Sequence, residues 1–219
     1  MPAHGHTNSQ RHWSKNVRDV CLSHDSLQLQ IAGGAESGEF LYIAGPPKEK
    51  TRYKIGRFSI NDILIEVNDE VVAGLTLRDL MNRINCAGKK VNFKVVQPGG
   101  GITKDLRDFL SQDFPNTSEV DLYLQDETRE NLYARTVPYT TRPPRSGEEP
   151  GIDYMFISRE KFLEMQKHGD FLESGSYKDH YYGTPKPLLG HSVVKDKSKQ
   201  TIKEEYKTDS NSSVVAENE

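Results

Sequence analysis

The chain has 219 residues, of which 34% are hydrophobic and 28% charged, so it is long enough for two small domains but too polar for every residue to be packed. Its 29 basic and 32 acidic residues leave a formal charge of −3, without the basic excess that a nucleic-acid partner requires. It has no run of about 18 apolar residues, and its start is polar, so it reads as neither secreted nor membrane-spanning.

In chain order, residues 1–12 are histidine-, asparagine- and serine-rich and read as a disordered tail, because nothing in them offsets the entropy of ordering. Period-two alternation of Leu27, Leu29 and Ile31, and of Val91, Phe93 and Val95, predicts half-buried strands. Ile63, Ile65 and Val67 form a third strand between the Asn61-Asp62 and Asn68-Asp69 turn signals. Thr76 caps a helix with Leu77, Leu80, Met81 and Ile84 on one face, ending before Gly88. Pro98 to Gly101 reads as a hinge, and Thr103 opens a helical segment with Leu106, Phe109, Leu110 and Phe114 on one face. Ser158 caps a helix over Arg159 to His168, and Gly169 stops it. Residues 188–219 mix lysine, glutamate and serine without periodicity and read as a second disordered tail.

Two cysteines, Cys21 and Cys86, lack metal-ligand spacing and suit a reducing compartment, with a disulfide between them possible but unneeded. None of the seven histidines pairs at helical ligand spacing with a cysteine or carboxylate, so no metal is expected. Trp13 is expected to pack against the first domain.

The short strands, the single amphipathic helix and the run Gly56-Arg57-Phe58-Ser59-Ile60-Asn61-Asp62-Ile63-Leu64-Ile65-Glu66-Val67-Asn68-Asp69 resemble a PDZ domain over residues 13–97. That resemblance implies a groove between the second strand and the helix, where a C-terminal or internal peptide adds as a further strand. The peptide groove would be lined by Leu27, Gln28, Leu29, Leu77 and Met81. Leu77, at the helix's first position, would favour an apolar third-last ligand residue. Ser26-Leu27-Gln28-Leu29 stands where the family has Gly-Leu-Gly-Phe, so both glycines of the carboxylate loop are missing, and Asp25 beside it would repel an anion. The same leucines and Met81 also fit a plain core role, and both readings stay open.

Pro138-Tyr139-Thr140-Thr141-Arg142-Pro143-Pro144-Arg145, then Gly151-Ile152-Asp153-Tyr154 and Tyr181-Tyr182-Gly183-Thr184, resemble the GMP-binding half of guanylate kinase. Two guanidinium forks three residues apart among stiff prolines suit a phosphate, and tyrosine hydroxyls add donors. An exposed salt-bridged surface is the competing reading. By resemblance Arg142, Arg145, Tyr154 and Tyr182 face a phosphate, while Glu173 and Thr184 read a guanine edge; Pro138 replaces a phosphate-contacting serine. Phosphoryl transfer needs a glycine-rich loop with lysine and hydroxyl. The nearest spacing, Gly33 to Gly38, is followed by Glu39-Phe40. No catalytic residue and no cofactor are therefore expected.

PDZ-like followed at once by guanylate kinase-like residues, with the link Thr103 to Leu110, resembles the start of the membrane-associated guanylate kinases with inverted domain order, the MAGI scaffold family. The fold class implied is α+β: a PDZ-like partly open β-barrel with two helices, then a truncated guanylate kinase-like α/β region, with disordered termini. The divisions are a tail over 1–12, the PDZ-like domain over 13–97, a hinge and linking helix over 98–121, the guanylate kinase-like domain over 122–187, and a tail over 188–219. The function implied is a non-enzymatic scaffold that assembles membrane-associated signalling and cell-cell junction complexes. Its expected partners are proteins, bound as peptides at the groove and as phosphopeptides at the arginines, with no nucleic acid and no membrane span. The placement implied is cytoplasmic, peripheral at the plasma membrane and at junctions. The alternatives are a guanylate kinase transferring phosphate from ATP to GMP, and a pair of inert spacers.

Overall fold

A computed structural model of the chain describes residues 11–24, 28–46, 48 and 50–188. Most of both expected tails, together with Asp25, Ser26 and Leu27, lies outside the described residues. The first region is an antiparallel sheet of β1 (Arg18–Ser23), β2 (Ile31–Gly34), β3 (Glu39–Ile43), β4 (Tyr53–Ile55), β5 (Ile63–Val67), β6 (Glu70–Val71) and β7 (Lys90–Val96). The strand order is β2-β3-β5-β7-β1-β4, with β6 paired to β5, so the sheet is open at β2 and at β4. The strand expected over Leu27 to Ile31 begins only at Ile31 and continues into Gly34.

α1 (Leu77–Asn85) starts where Thr76 Oγ1 accepts from Asp79 N at 3.1 Å, and it buries Leu80 and Ile84. These join Leu22, Leu41, Ile43, Leu64, Val91, Phe93 and Val95 in a core under the helix. Between β3 and β5 the described residues hold β4 and turns, and β4 pairs with β1.

The opposite face of the sheet is buried as well. Phe40, Ile63, Ile65 and Val96 pack with Trp13 and with Ile102, Leu106, Phe109, Leu124, Leu132 and Leu172, which follow the sheet in sequence. The elements covering this face are α2 (Leu106–Leu110) and α3 (Glu119–Tyr133). α2 is shorter than expected, ending at Leu110, and Phe114 reaches the core from the following turn. Gln125 Nε2 of α3 donates to the carbonyls of Phe109 and Gln112 at 3.0 Å and of Leu110 at 3.2 Å, satisfying the groups that a continuing helix would have used. Pro115 also disfavours helical geometry at Phe114.

Gly99 to Gly101 form a turn rather than a loose hinge. Gly99 N donates to Ile102 O at 2.7 Å, and Gly100 O accepts from Trp13 N at 2.9 Å. Trp13 is 3% exposed and packs as expected, while its indole N–H also reaches Asp121 of α3 at 2.6 Å.

The remaining strands are β8 (Tyr139–Thr140), β9 (Met155–Phe156), β10 (Phe171–Tyr177) and β11 (His180–Pro185), in the order β10-β11-β8-β9. All pairs are antiparallel except β8 with β9. α4 (Arg159–His168) is capped by Ser158 and closed by Gly169 at φ 73°, as the sequence predicts. Its Phe162 stacks on Phe171 at 4.5 Å and on Tyr181 at 5.4 Å. Both cysteines are free thiols. Among the described residues no helix is long and apolar enough to cross a membrane.

Candidate functional site

Two surfaces carry the sequence-predicted residues. The first is the free edge of β2, with α1 alongside it. Leu29, Ile31 and Leu77 are half-buried against the core beneath, Gln28 is exposed and Met81 is 38% exposed. Leu27 lies outside the described residues. Apolar side chains thus line the space between an unpaired strand and a helix, the arrangement that accepts an added strand. Gly33, at φ 82°, leaves no room for a side chain, because a Cβ there would collide with the Phe40 carbonyl oxygen.

The two walls of this groove are tied together at the end nearest the start of α1. Glu36, in the turn after β2, accepts from Leu77 N at 2.9 Å. Arg135, just after α3, meets Asp79 at 2.6 Å, and Asn131 Nδ2 donates to Val71 O and Ala73 O at 3.1 and 2.9 Å. Burial pushes the Asp79 carboxyl up, but hydrogen bonds from Thr76 and Arg135 outweigh it and hold the group below its ordinary value. Asp79 completes a Thr76-x-x-Asp79 capping pattern that is readable in the sequence, whereas Asn131 and Arg135 carry no motif signature.

The second surface is on the β10-β11-β8-β9 sheet. Thr140 Oγ1 donates to Tyr181 O at 3.0 Å, and Arg142 N donates to Thr140 Oγ1 at 3.3 Å, so β8 aims the arginine loop. Arg142 is 6% exposed. Its guanidinium meets Glu148 through two parallel hydrogen bonds of 2.7 and 2.6 Å and lies over the Tyr154 ring at 4.8 Å. Tyr154 in turn meets Tyr182 edge-on at 6.2 Å. The Arg142 bond holds the Glu148 carboxyl down at about 2, with burial opposing it and the Arg145 backbone N–H adding to it, and Glu148 raises Arg142 in return. Arg145 is exposed, and its backbone N–H donates to Glu148 at 2.7 Å.

Glu173 and Thr184 stand opposite each other across β10 and β11, and Tyr182 is two residues before Thr184 on the same face. The structure therefore brings Arg142, Tyr154, Tyr182, Thr184 and Glu173 to one sheet face, with Arg145 at its rim. Glu173 is engaged by Arg129 of α3, Nε to Oε1 at 2.9 Å. Burial raises the Glu173 carboxyl, with Arg129 and Tyr133 opposing, and burial beside Glu173 pushes the Tyr133 hydroxyl far up. Sequence reasoning missed Glu148, Arg129 and Tyr133. An acid six residues beyond Arg142, in Ser146-Gly147-Glu148-Glu149, is a readable signal for the first, whereas Arg129 and Tyr133 reach the site only through the packing of α3.

A family model described as guanylate kinase matches residues 117–211. Membrane-associated guanylate kinase, WW and PDZ domain-containing protein 3 of Xenopus tropicalis is 44% identical over 182 residues, covering 81% of this chain and 16% of that protein. The guanylate kinase of Clostridioides difficile (strain 630) is 55% identical over 60 residues, 27% of this chain and 29% of that protein. A choanoflagellate SHANK1 PDZ domain bound to a GIRK3 peptide is 14% identical, covering 38% of this chain and 93% of that chain at a TM-score of 0.32. The chain spans 16%, 13% and 17% of the curated relatives from Xenopus tropicalis, Mus musculus and Gallus gallus.

Proposed function

Since the chain carries the PDZ-like and guanylate kinase-like regions of the MAGI family of membrane-associated guanylate kinases, in that inverted order, we propose that it is a non-enzymatic scaffold. In this reading it is cytoplasmic and peripheral at the plasma membrane and cell-cell junctions. It holds partner proteins at two places on one body, with residues 13–97 and 122–187 as the recognition units.

The observation that carries this reading is the free β2 edge beside α1, lined by Leu29, Ile31, Leu77 and Met81. A peptide there gains main-chain hydrogen bonds from β2, and its apolar side chains meet the leucines and Met81. Substituting Met81→Glu, at an exposed position that leaves the core intact, is expected to weaken binding of a peptide with an apolar third-last residue by about tenfold. Fluorescence anisotropy on the full chain measures this, and an unchanged Kd would remove the groove from the reading.

Phosphoserine or phosphothreonine peptides would dock on the second surface, their charge met first by exposed Arg145 and then by Arg142 as Glu148 gives way. Calorimetry with phosphorylated and unphosphorylated peptides tests it, with loss of discrimination on Arg145→Gln as the expected result. The absence of kinase activity in this reading is supported by the segment entering α3. Gln112 to Ser118 contains neither glycine nor lysine, and the first turn of α3 carries Glu119 and Asp121, which oppose a nucleotide phosphate. GMP-dependent ADP formation that disappears on Arg142→Gln would replace this reading with that of a guanylate kinase.

A further inference from the structure

Residues 48–54 set Lys48, Lys50, Arg52 and Lys54 against one acidic residue, Glu49. The sheet adds two more cations to this group. Ser23, the last residue of β1, stands opposite Lys90 of β7, its backbone N–H donates to Arg52 O at 3.1 Å, and the next N–H, His24, donates to Lys89 O at 3.1 Å. Arg52 and Lys90 therefore flank the end of β1, about 10 Å apart, or two strand spacings.

Lys48, Lys50, Arg52, Lys54, Lys89 and Lys90 are all exposed. The five lysines join no ion pair among the described residues. Lys94, farther along β7, is instead matched by Glu66 at 2.6 Å, so the middle of the sheet is neutralised while this end is not. Ile55, 59% exposed, shares a depression with Asp19, Glu66 and Asp69 and lies outside this group.

This cationic pole lies at the end of the groove away from Glu36 and Arg135. Ala44 N donates to Gln30 O at 2.8 Å, which sets the approach to residues 48–54 beside the start of β2. His24 Nε2 lies 3.1 Å from Ile84 O, at the far end of α1.

We propose that this pole docks the chain on an anionic lipid bilayer, the phosphate-bearing headgroups meeting the six cations. Lysine is a strongly hydrated point charge without a fixed fork, suited to a diffuse anionic surface more than to one shaped ligand. Base stacking has no exposed ring to use there, because Tyr53 is half-buried against the core. The inference deepens the peripheral placement proposed above by naming its surface, and it is independent of whether the groove binds peptides.

Co-sedimentation of the full chain with vesicles of phosphatidylcholine alone, and of phosphatidylcholine with phosphatidylserine, tests it. Partition into the anionic vesicles alone is expected, falling as salt is raised. Each cation contributes about fivefold, so the combined Lys50→Gln, Lys54→Gln and Lys89→Gln variant should lose about a hundredfold. These are exposed side chains, so circular dichroism and peptide affinity at the groove should stay unchanged. Equal binding to neutral vesicles, or a triple variant that partitions like the parent, would overturn the proposal. Capture of soluble polyglutamate or duplex DNA as tightly as anionic vesicles would also overturn it, and would reassign the pole to an acidic protein or a nucleic acid.

Discussion

Replacing Glu148 by glutamine isolates what one carboxylate does for the arginine surface. Arg142 is 6% exposed and is met by both Glu148 oxygens, so the variant leaves a buried guanidinium without its counter-charge. A loss of about 2 kcal/mol is expected in denaturant melts near neutral pH. The pH dependence has a definite sign. Glu148 is held at about 2, below its ordinary 4.5, so its contribution is complete above pH 4.5 and fades as pH falls toward about 2. The stability gap between parent and Glu148→Gln should close over that window, and a gap independent of pH would show that the pair contributes nothing electrostatic. The two arginines were legible as a pair three residues apart, and Tyr154, Tyr182, Glu173 and Thr184 through the resemblance to guanylate kinase. Their engagement by Glu148 and Arg129 was not, since charge pairs across loops follow from folded distances. Asp121 is similar: 2% exposed, it accepts from Trp13 at 2.6 Å and from His12 at 2.8 Å, partners more than one hundred residues away in sequence.

At the scale of elements, α1 was read from apolar residues at helical spacing behind its Thr76 cap, and α4 from its Ser158 cap and Gly169 stop. α3 escaped because its buried stripe, Asp121, Leu124, Gln125, Thr128 and Leu132, has helical spacing but is largely polar. Those polar groups are buried because each has a partner: Gln125 caps the carbonyls ending α2, and Thr128 Oγ1 donates to Leu124 O at 2.6 Å. Gln125→Leu would therefore destabilise despite adding apolar surface, by about 2 kcal/mol, because it strips a donor from buried carbonyls. Thermal unfolding measures this, and a neutral or stabilising result would mean that water replaces the amide. β5 gave a partial signal. Ile63, Ile65 and Val67 read as one buried face, yet Leu64 between them is also fully buried. An uninterrupted apolar run of this kind marks a strand covered on both sides.

For the molecule as a whole, that second face decides cooperativity. Phe40 of β3 meets Phe109 of α2 edge-on at 5.3 Å, and Leu124, Leu132 and Leu172 belong to the same cluster. Residues on either side of the glycine turn thus share one core, although composition alone suggested two small domains. Unfolding is expected to be a single transition in which Trp13 fluorescence and far-ultraviolet circular dichroism coincide. Phe109→Ala should lower stability by about 3–4 kcal/mol and shift both signals together. Two separated transitions would show that the regions fold independently.

By itself the sequence determined β5, β7 and α1 of the first region, the capped helix α4, the ordered arginine and tyrosine motifs and the polar character of both ends. Each of these is written in local periodicity, capping chemistry or motif spacing. Only the tertiary structure decided that the two regions share a core, that α3 clamps the start of α1, that Glu148 holds Arg142, and that lysines from two separate strands gather at one pole. Those outcomes depend on which surfaces meet, and contact between residues far apart in the chain leaves no periodic trace in either segment.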